Sequence, residues 1–183
     1  INQSIQNALD NGIFVDASSG NDAFIDGIWY PACAPGVTSV GAVYDANVGA
    51  RAWSSVCSDL STQADKIVCF TNRASNLDIL APGAIIISTT SHLGSYCGAP
   101  LQNGFGLCSG TSMAAPHVAG IAALMFQKNP NLKPAEIERI LKDSGKSIFD
   151  SKTSLNFSRI DAYAAIVSLK TKPNIELAVF IPP

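Results

Sequence analysis

The chain has 183 residues, 47% of them hydrophobic and 14% charged, with a formal net charge of −2. That length suits one domain with a sizeable core, and the slightly acidic balance, without a Lys/Arg run, gives no electrostatic basis for binding nucleic acid or an anionic membrane surface. No stretch approaches the roughly 18–20 uninterrupted apolar residues that span a bilayer, and no charged and apolar leader is visible at the start, so no signal peptide is expected within it.

The opening "NQSIQNALDNG" places Ile5, Ala8 and Leu9 at helical spacing and stops at Asn-Gly. The apolar run Ile13–Val15 then falls into a turn of small residues, the helix-to-strand step of a parallel α/β sheet. "GVTSVGAVYD" is a second β-rich run. "LDILAPGAIIISTT" is a third, with Ile85–Ile87 unbroken, as in a strand buried on both faces. Between them, Asn47 to Asn76 reads as a hairpin or excursion. "SMAAPHVAGIAALMFQKNP" is apolar nearly all round and predicts a central buried helix, with Pro116 placed in its first turn. "LKPAEIERILKDSG" predicts an amphipathic helix with Ile137, Ile140 and Leu141 inward, and "SRIDAYAAIVSL" a last helix. The tail from 170 to 183 carries a short apolar run between prolines, read as an edge strand or a swapped arm.

Cys57 with Cys69 and Cys97 with Cys108 are pairs close in sequence within polar, loop-like stretches. Loop cysteines at such spacing suit two disulfides in an exported protein, secreted or periplasmic. The alternative is a set of reduced thiols. No CxxC spacing or His cluster suggests a metal. Cys33, between two alanines, is expected to be a small buried apolar residue.

"GTSMAAPHVAG", from Gly110 to Gly120, sets Ser112 at the mouth of the apolar helix. Ser112 as a helix N-cap is the ordinary reading, with Thr111 its rival for that role. The functional reading is a nucleophile: first-turn N–H groups point outward and favour a developing oxyanion. A serine nucleophile needs a base, and the chain holds only two histidines, His92 and His117. His117 lies on the same helix among Ala and Val, and His92 sits in a polar loop; neither is expected to be the base.

The motif resembles the nucleophile motif of the subtilisin-like serine proteases nearly residue for residue. "GIFVDASSGND" is similar to that family's strand and turn ending in Gly-Asn, and "YPACAPGVTSVGAV", "LDILAPG" and "SRIDAYAAI" follow in the family's order. The resemblance covers about Ile5 to Ser168. It implies an α/β chain, part of a subtilisin-like three-layer fold with a mostly parallel sheet flanked by helices. Residues 1–169 would be the C-terminal portion of a peptidase domain and 170–183 a tail or arm. By the same resemblance Ser112 is the nucleophile, and Asn21 shares the oxyanion with the Ser112 N–H. Ala17, Ser18, Ser19 and Gly20 would form one wall of the substrate pocket, Trp29 would shorten it, and Gly110 and Thr111 would complete the substrate contacts.

No "D-S/T-G" or "H-G-T" motif occurs in the chain, so the resemblance implies that the catalytic Asp and His lie elsewhere. The isolated chain is expected to be inactive and to pair with a missing N-terminal half or with a second copy, through the arm Ile175–Ile181. Its substrate would be a peptide or protein. No cofactor is expected for the chemistry, but Pro35, Val37 and Asp78 match a calcium site of relatives such as proteinase K. Asp78 has an alternative use in bonding nearby backbone amides. Two rival functions are an inactive relative acting as a scaffold or binding module, and another serine hydrolase; no G-x-S-x-G elbow supports the latter.

Overall fold

The computed structural model describes residues 1–89, 100–101 and 104–169. Helix α1 (Asn2–Asp10) turns Ile5 and Leu9 onto Val15, Ala17 and Val37. Strands β1 (Asp16–Ser18) and β2 (Thr38–Val43) follow, then the hairpin β3 (Arg51–Trp53) and β4 (Cys57–Asp59), then β5 (Ile79–Pro82). Strands β6 (Ile86–Thr89), β7 (Pro100–Leu101) and β8 (Phe105–Cys108) make a small antiparallel sheet ordered β6-β8-β7. Helices α2 (Thr111–Lys128) and α3 (Pro134–Ser144) lead into the hairpin β9 (Lys146–Asp150) and β10 (Leu155–Arg159), and helix α4 (Ala162–Ser168) ends the described chain.

The main sheet runs β1-β2-β5-β10-β9, parallel as far as β10 and antiparallel at β9. A parallel sheet must cover both faces, because its crossovers put helices there. Val40, Ala42, Ile79 and Ala81 meet Ala114, Val118 and Met125 of α2, Ile137 and Leu141 of α3, and Ala165 of α4. On the other face Val43 and Leu80 meet Ile67, Leu77 and Phe157, while α1 covers the β1 end. Three layers result, as the resemblance implies.

Several local expectations are corrected. The first strand begins at Asp16, after the apolar run Ile13–Val15, because the register Asp16–Thr38 sets where pairing starts. The doubly buried strand is Ile79–Ala81; Ile85 has a φ of 61° that breaks the run, and Ile87 is 63% exposed in the small sheet. Pro116 is the sixth residue of α2 and lies inside the helix, where it withholds the N–H that would reach the Ser112 carbonyl. Cys33 is exposed. The hairpin β9–β10 has no counterpart among the elements read from sequence.

Cys57 and Cys69 form a disulfide that ties the β3–β4 hairpin to the chain entering Phe70. Beside it, burial works against the Asp59 charge, yet the Cys69 N–H, the Tyr44 hydroxyl and Lys66 together hold its carboxyl below the usual range. Cys108 is also disulfide-bonded; its expected partner Cys97, like His92 and the arm 170–183, lies outside the described residues. Among the described residues no helix is long and apolar enough to cross a membrane.

The two ends of the main sheet differ. At the far end the antiparallel β9 is the rim strand. At the near end β1 pairs, among the described residues, only with β2, and the adjoining outer face of α2 is open. Ile13 there is 56% exposed, and a groove of about 560 Å³ runs between Ile13, Phe14, Ala119, Ala123 and Phe126. Strand alternation puts Asp16 on this α2 side with Phe14, and its buried Oδ2 has no hydrogen-bond partner.

Burial raises the Asp16 pKa from 3.8 to about 6. A raised carboxyl pKa means the folded state holds the proton more tightly than the unfolded state. Its contribution is full below pH 3.8 and is lost as pH rises through about 6. Asp16→Asn is therefore expected to flatten the stability profile between those pH values, with its largest gain over the parent at neutral pH. Urea titrations at four pH values across the window check this; parallel profiles for the two proteins would contradict it.

Candidate active site

Ser112 is the second residue of α2, exposed in its first turn. Neither Ser112 nor Thr111 caps the helix: the N-cap is Gly110, and no side-chain cap bond forms. Gly110 has φ 155° and ψ 162°, a region essentially restricted to glycine. Its N–H donates to the Gly83 carbonyl at 2.7 Å. A side chain at Gly83 would meet the Ala42 Cβ at 2.6 Å and the Gly110 carbonyl at 2.8 Å. Two glycines thus let the turn before Ser112 lie directly on the exit of β5.

Thr111 is fully buried and joins this turn to the end of β1. Its N–H donates to Asn21 Oδ1 at 2.8 Å and its hydroxyl to the same oxygen at 3.1 Å, while the Gly20 N–H donates to Thr111 Oγ1 at 3.2 Å. The Asn21 oxygen is thereby engaged, which leaves Nδ2 as the uncommitted donor of its amide. A carbon built as a side chain on Gly110 would lie 3.5 Å from Asn21 Nδ2, 3.6 Å from its Oδ1 and 3.7 Å from the Ser112 nitrogen. The missing side chain therefore leaves a space bordered by the Asn21 amide and the Ser112 N–H. The Ser112 N–H belongs to the helix turn that has no internal acceptor, so both donors are available to an anionic oxygen.

Asn72 and Asp22, which the sequence reading did not single out, hold the loop carrying Asn21. Asn72 is fully buried; its Oδ1 accepts from the N–H groups of Asp22 (2.8 Å) and Phe24 (3.2 Å), and its Nδ2 donates to Asp22 Oδ2 at 3.0 Å. The Asn72 N–H donates to the Gly20 carbonyl at 3.0 Å. A polar side chain buried this completely among loop amides is the signal that could have marked it.

The expected substrate wall is only partly lined by side chains. Ala17 turns toward α1 and Ser19 is fully buried, which leaves Ser18 half-buried and Gly20 as backbone. Trp29 is 53% exposed and packs against Gly20. On the other side of Ser112 a groove of about 430 Å³ runs between β6 and α2, past Ile86, Met113 and His117. His117 Nδ1 lies 2.8 Å from the Met113 carbonyl of its own helix.

Of Pro35, Val37 and Asp78, the residues expected at a calcium site, Asp78 has both carboxylate oxygens engaged within the protein. Asp78 Oδ2 accepts the Ser39 N–H (2.9 Å) and hydroxyl (2.8 Å), and Oδ1 holds the Lys142 ammonium at 2.8 Å. The lysine supplies the positive charge that a cation would bring. Burial opposes the Lys142 charge, but Asp78 and Glu138 raise its pKa overall. Among the described residues no group of three or more His, Cys, Asp or Glu is placed to hold a metal.

The model of the subtilase family matches residues 1–160. Subtilisin from Bacillus pumilus is 33% identical over 159 residues, covering 83% of this chain and 48% of its own. Fervidolysin from Fervidobacterium pennivorans is 29% identical over 167 residues, covering 85% of this chain and 22% of its own. Among solved structures, a protease from Pseudoalteromonas arctica PAMC 21717 superposes with a TM-score of 0.67 at 30% identity, over 91% of this chain and 46% of that one. The chain spans less than half the length of each.

Thr111→Val keeps the shape of the side chain but leaves the half-buried Gly20 N–H without its acceptor. The expected cost is about 1–3 kcal/mol of stability, read by chemical denaturation. A loss within error of zero would show that the junction does not depend on this hydroxyl.

Proposed function

The chain belongs to the subtilase family, and from that premise we propose that it is the nucleophile-bearing part of a serine endopeptidase. Ser112 Oγ attacks the carbonyl carbon of a peptide bond and forms the acyl-enzyme. The oxyanion of the tetrahedral intermediate occupies the space beside Gly110, between Asn21 Nδ2 and the Ser112 N–H. The amine then leaves with a proton, and water releases the acyl group. The observation that carries this reading is the engagement of Asn21: two bonds from Thr111 occupy its oxygen, so that Nδ2 is the group left to donate beside Gly110.

The base and its orienting carboxylate are proposed to come from outside the described residues. His117 is engaged with its own helix. The edge of β1 left unpaired among the described residues and the open face of α2 are where the segment carrying them would dock from the upstream half of the same protein; a second copy docked there would cover the apolar face without supplying them. An unpaired edge strand beside exposed apolar residues supports such docking. The Cys57–Cys69 disulfide supports an exported protein. The wall of Ser18 and Gly20, with Trp29 against it, supports small to medium uncharged side chains before the scissile bond.

A fluorophosphonate probe, read by intact mass, tests the reading. The chain alone is expected to remain unlabelled, and the chain mixed with its upstream half to gain one label that Ser112→Ala abolishes. Labelling of the chain alone would place a base within these residues, with His92 examined first. In an unlabelled assembly shown to be competent for labelling, Asn21→Ala is expected to lower kcat by about 10²–10³ with little change in KM, the signature of a lost oxyanion donor. An unchanged kcat would remove Asn21 from the mechanism.

A further inference from the structure

We infer that Asp22 is a positioning residue: its carboxylate clamps the Trp29 indole against Gly20, and this clamp sets the size of the side chain admitted at the substrate wall. The size-setting role rests on the peptidase reading above; the clamp does not. Trp29 is half-exposed, and an exposed indole ordinarily exchanges its N–H between solvent and neighbours. Here Nε1 donates to Asp22 Oδ2 at 2.5 Å, the Trp29 backbone N–H donates to the Ser19 carbonyl at 2.9 Å, and the Phe24 ring lies 5.8 Å away at 46°. Bonds to an ionised acceptor are the stronger kind.

The acceptor is itself fixed. Asn72 Nδ2 donates to the same Oδ2 at 3.0 Å, and Asn72 Oδ1 receives the Asp22 backbone N–H. The anchor is therefore a fully buried amide, although Asp22 itself is exposed. Gly20 completes the arrangement. A side chain there would overlap the Trp29 ring and the Asn72 amide, so the indole occupies the place a larger residue would have filled. Because both donors converge on one carboxylate oxygen, an amide oxygen can replace it: Asp22→Asn retains the clamp, whereas Asp22→Ala removes it.

Acrylamide quenching of tryptophan fluorescence on the 183-residue chain tests the clamp without requiring activity. Trp53, the second of the two tryptophans, is hydrogen-bonded to the Tyr44 hydroxyl, and a Trp29→Phe chain records its share. Asp22→Ala is expected to raise the quenching of Trp29, and Asp22→Asn to stay near the parent. In an assembly whose Ser112 accepts the fluorophosphonate, Asp22→Ala is further expected to shift the kcat/KM ratio of a bulky to a small residue before the scissile bond by about tenfold towards the bulky one, with Asp22→Asn shifting it less. Equal quenching in the parent and Asp22→Ala overturns the clamp, whatever the enzyme cleaves. Altered quenching with an unaltered ratio overturns the size-setting role and leaves the clamp. Absence of any label removes that role together with the peptidase reading, and quenching still decides the clamp.

Discussion

One buried hydroxyl joins the two ends of the candidate site. Thr111 Oγ1 accepts from Gly20 and donates to Asn21, although those residues stand about ninety positions earlier in the chain. A hydroxyl with no access to water must find its partners inside the protein, so the start of α2 cannot move without breaking its contact with the end of β1. The orientation of Asn21, the exposure of Ser112 and the space beside Gly110 all follow from that junction. Gly110 and Gly83 act with it by removing the side chains that would push helix and sheet apart.

The junction rests on a second layer of buried polar groups, the segment from Cys69 to Arg73. Arg73 is 2% exposed, and its guanidinium bonds the carbonyls of Cys69 and Thr71 and the carboxylate of Asp150, all at 3.2 Å. Burial pulls the Arg73 pKa down while Asp150 and Asp59 act against it. Losing one partner of such a pair would strand a charge, so the pair fixes where the β9–β10 hairpin meets this segment. Thr71 bonds both backbone groups of Ala42 on β2, and Asn72 reaches forward to the Asn21 loop. Support for the site thus passes from β9 to the loop after β1 through side chains that never reach its surface.

The asymmetry of the sheet is the counterpart of this order. The β9 end finishes in a hairpin held by an internal ion pair, and the β1 end carries an apolar groove and the orphaned oxygen of Asp16. Parallel strands are ordinarily covered on both faces and paired on both sides away from the sheet's rim. An open end of this kind, in a chain spanning less than half the length of its relatives, is the physical basis for the docking proposed there.

The sequence by itself determined the family, the strand–helix order and the residues at the heart of the candidate site. "GTSMAAPHVAG" and "ASSGND" are local: a glycine turn, a small-residue approach and a helix start are written in consecutive residues. Periodicity placed α1 and α3 for the same reason, since each helix reports its buried face within a few turns, and a continuous apolar run placed α2. The β9–β10 hairpin was not read from the sequence because each strand is only five residues long; β10 gains its place by pairing with β5, and β9 by pairing with β10. Asp78, read as a metal ligand, is committed to Ser39 and Lys142, whose nearness only the packing of α3 creates. Asn72 looks like any loop asparagine in the sequence; its burial beneath Gly20, and with it the hold of Asp22 on Trp29, comes from contacts some fifty residues apart. Local geometry is set by neighbours in sequence, whereas the satisfaction of a buried polar group is set by neighbours in space.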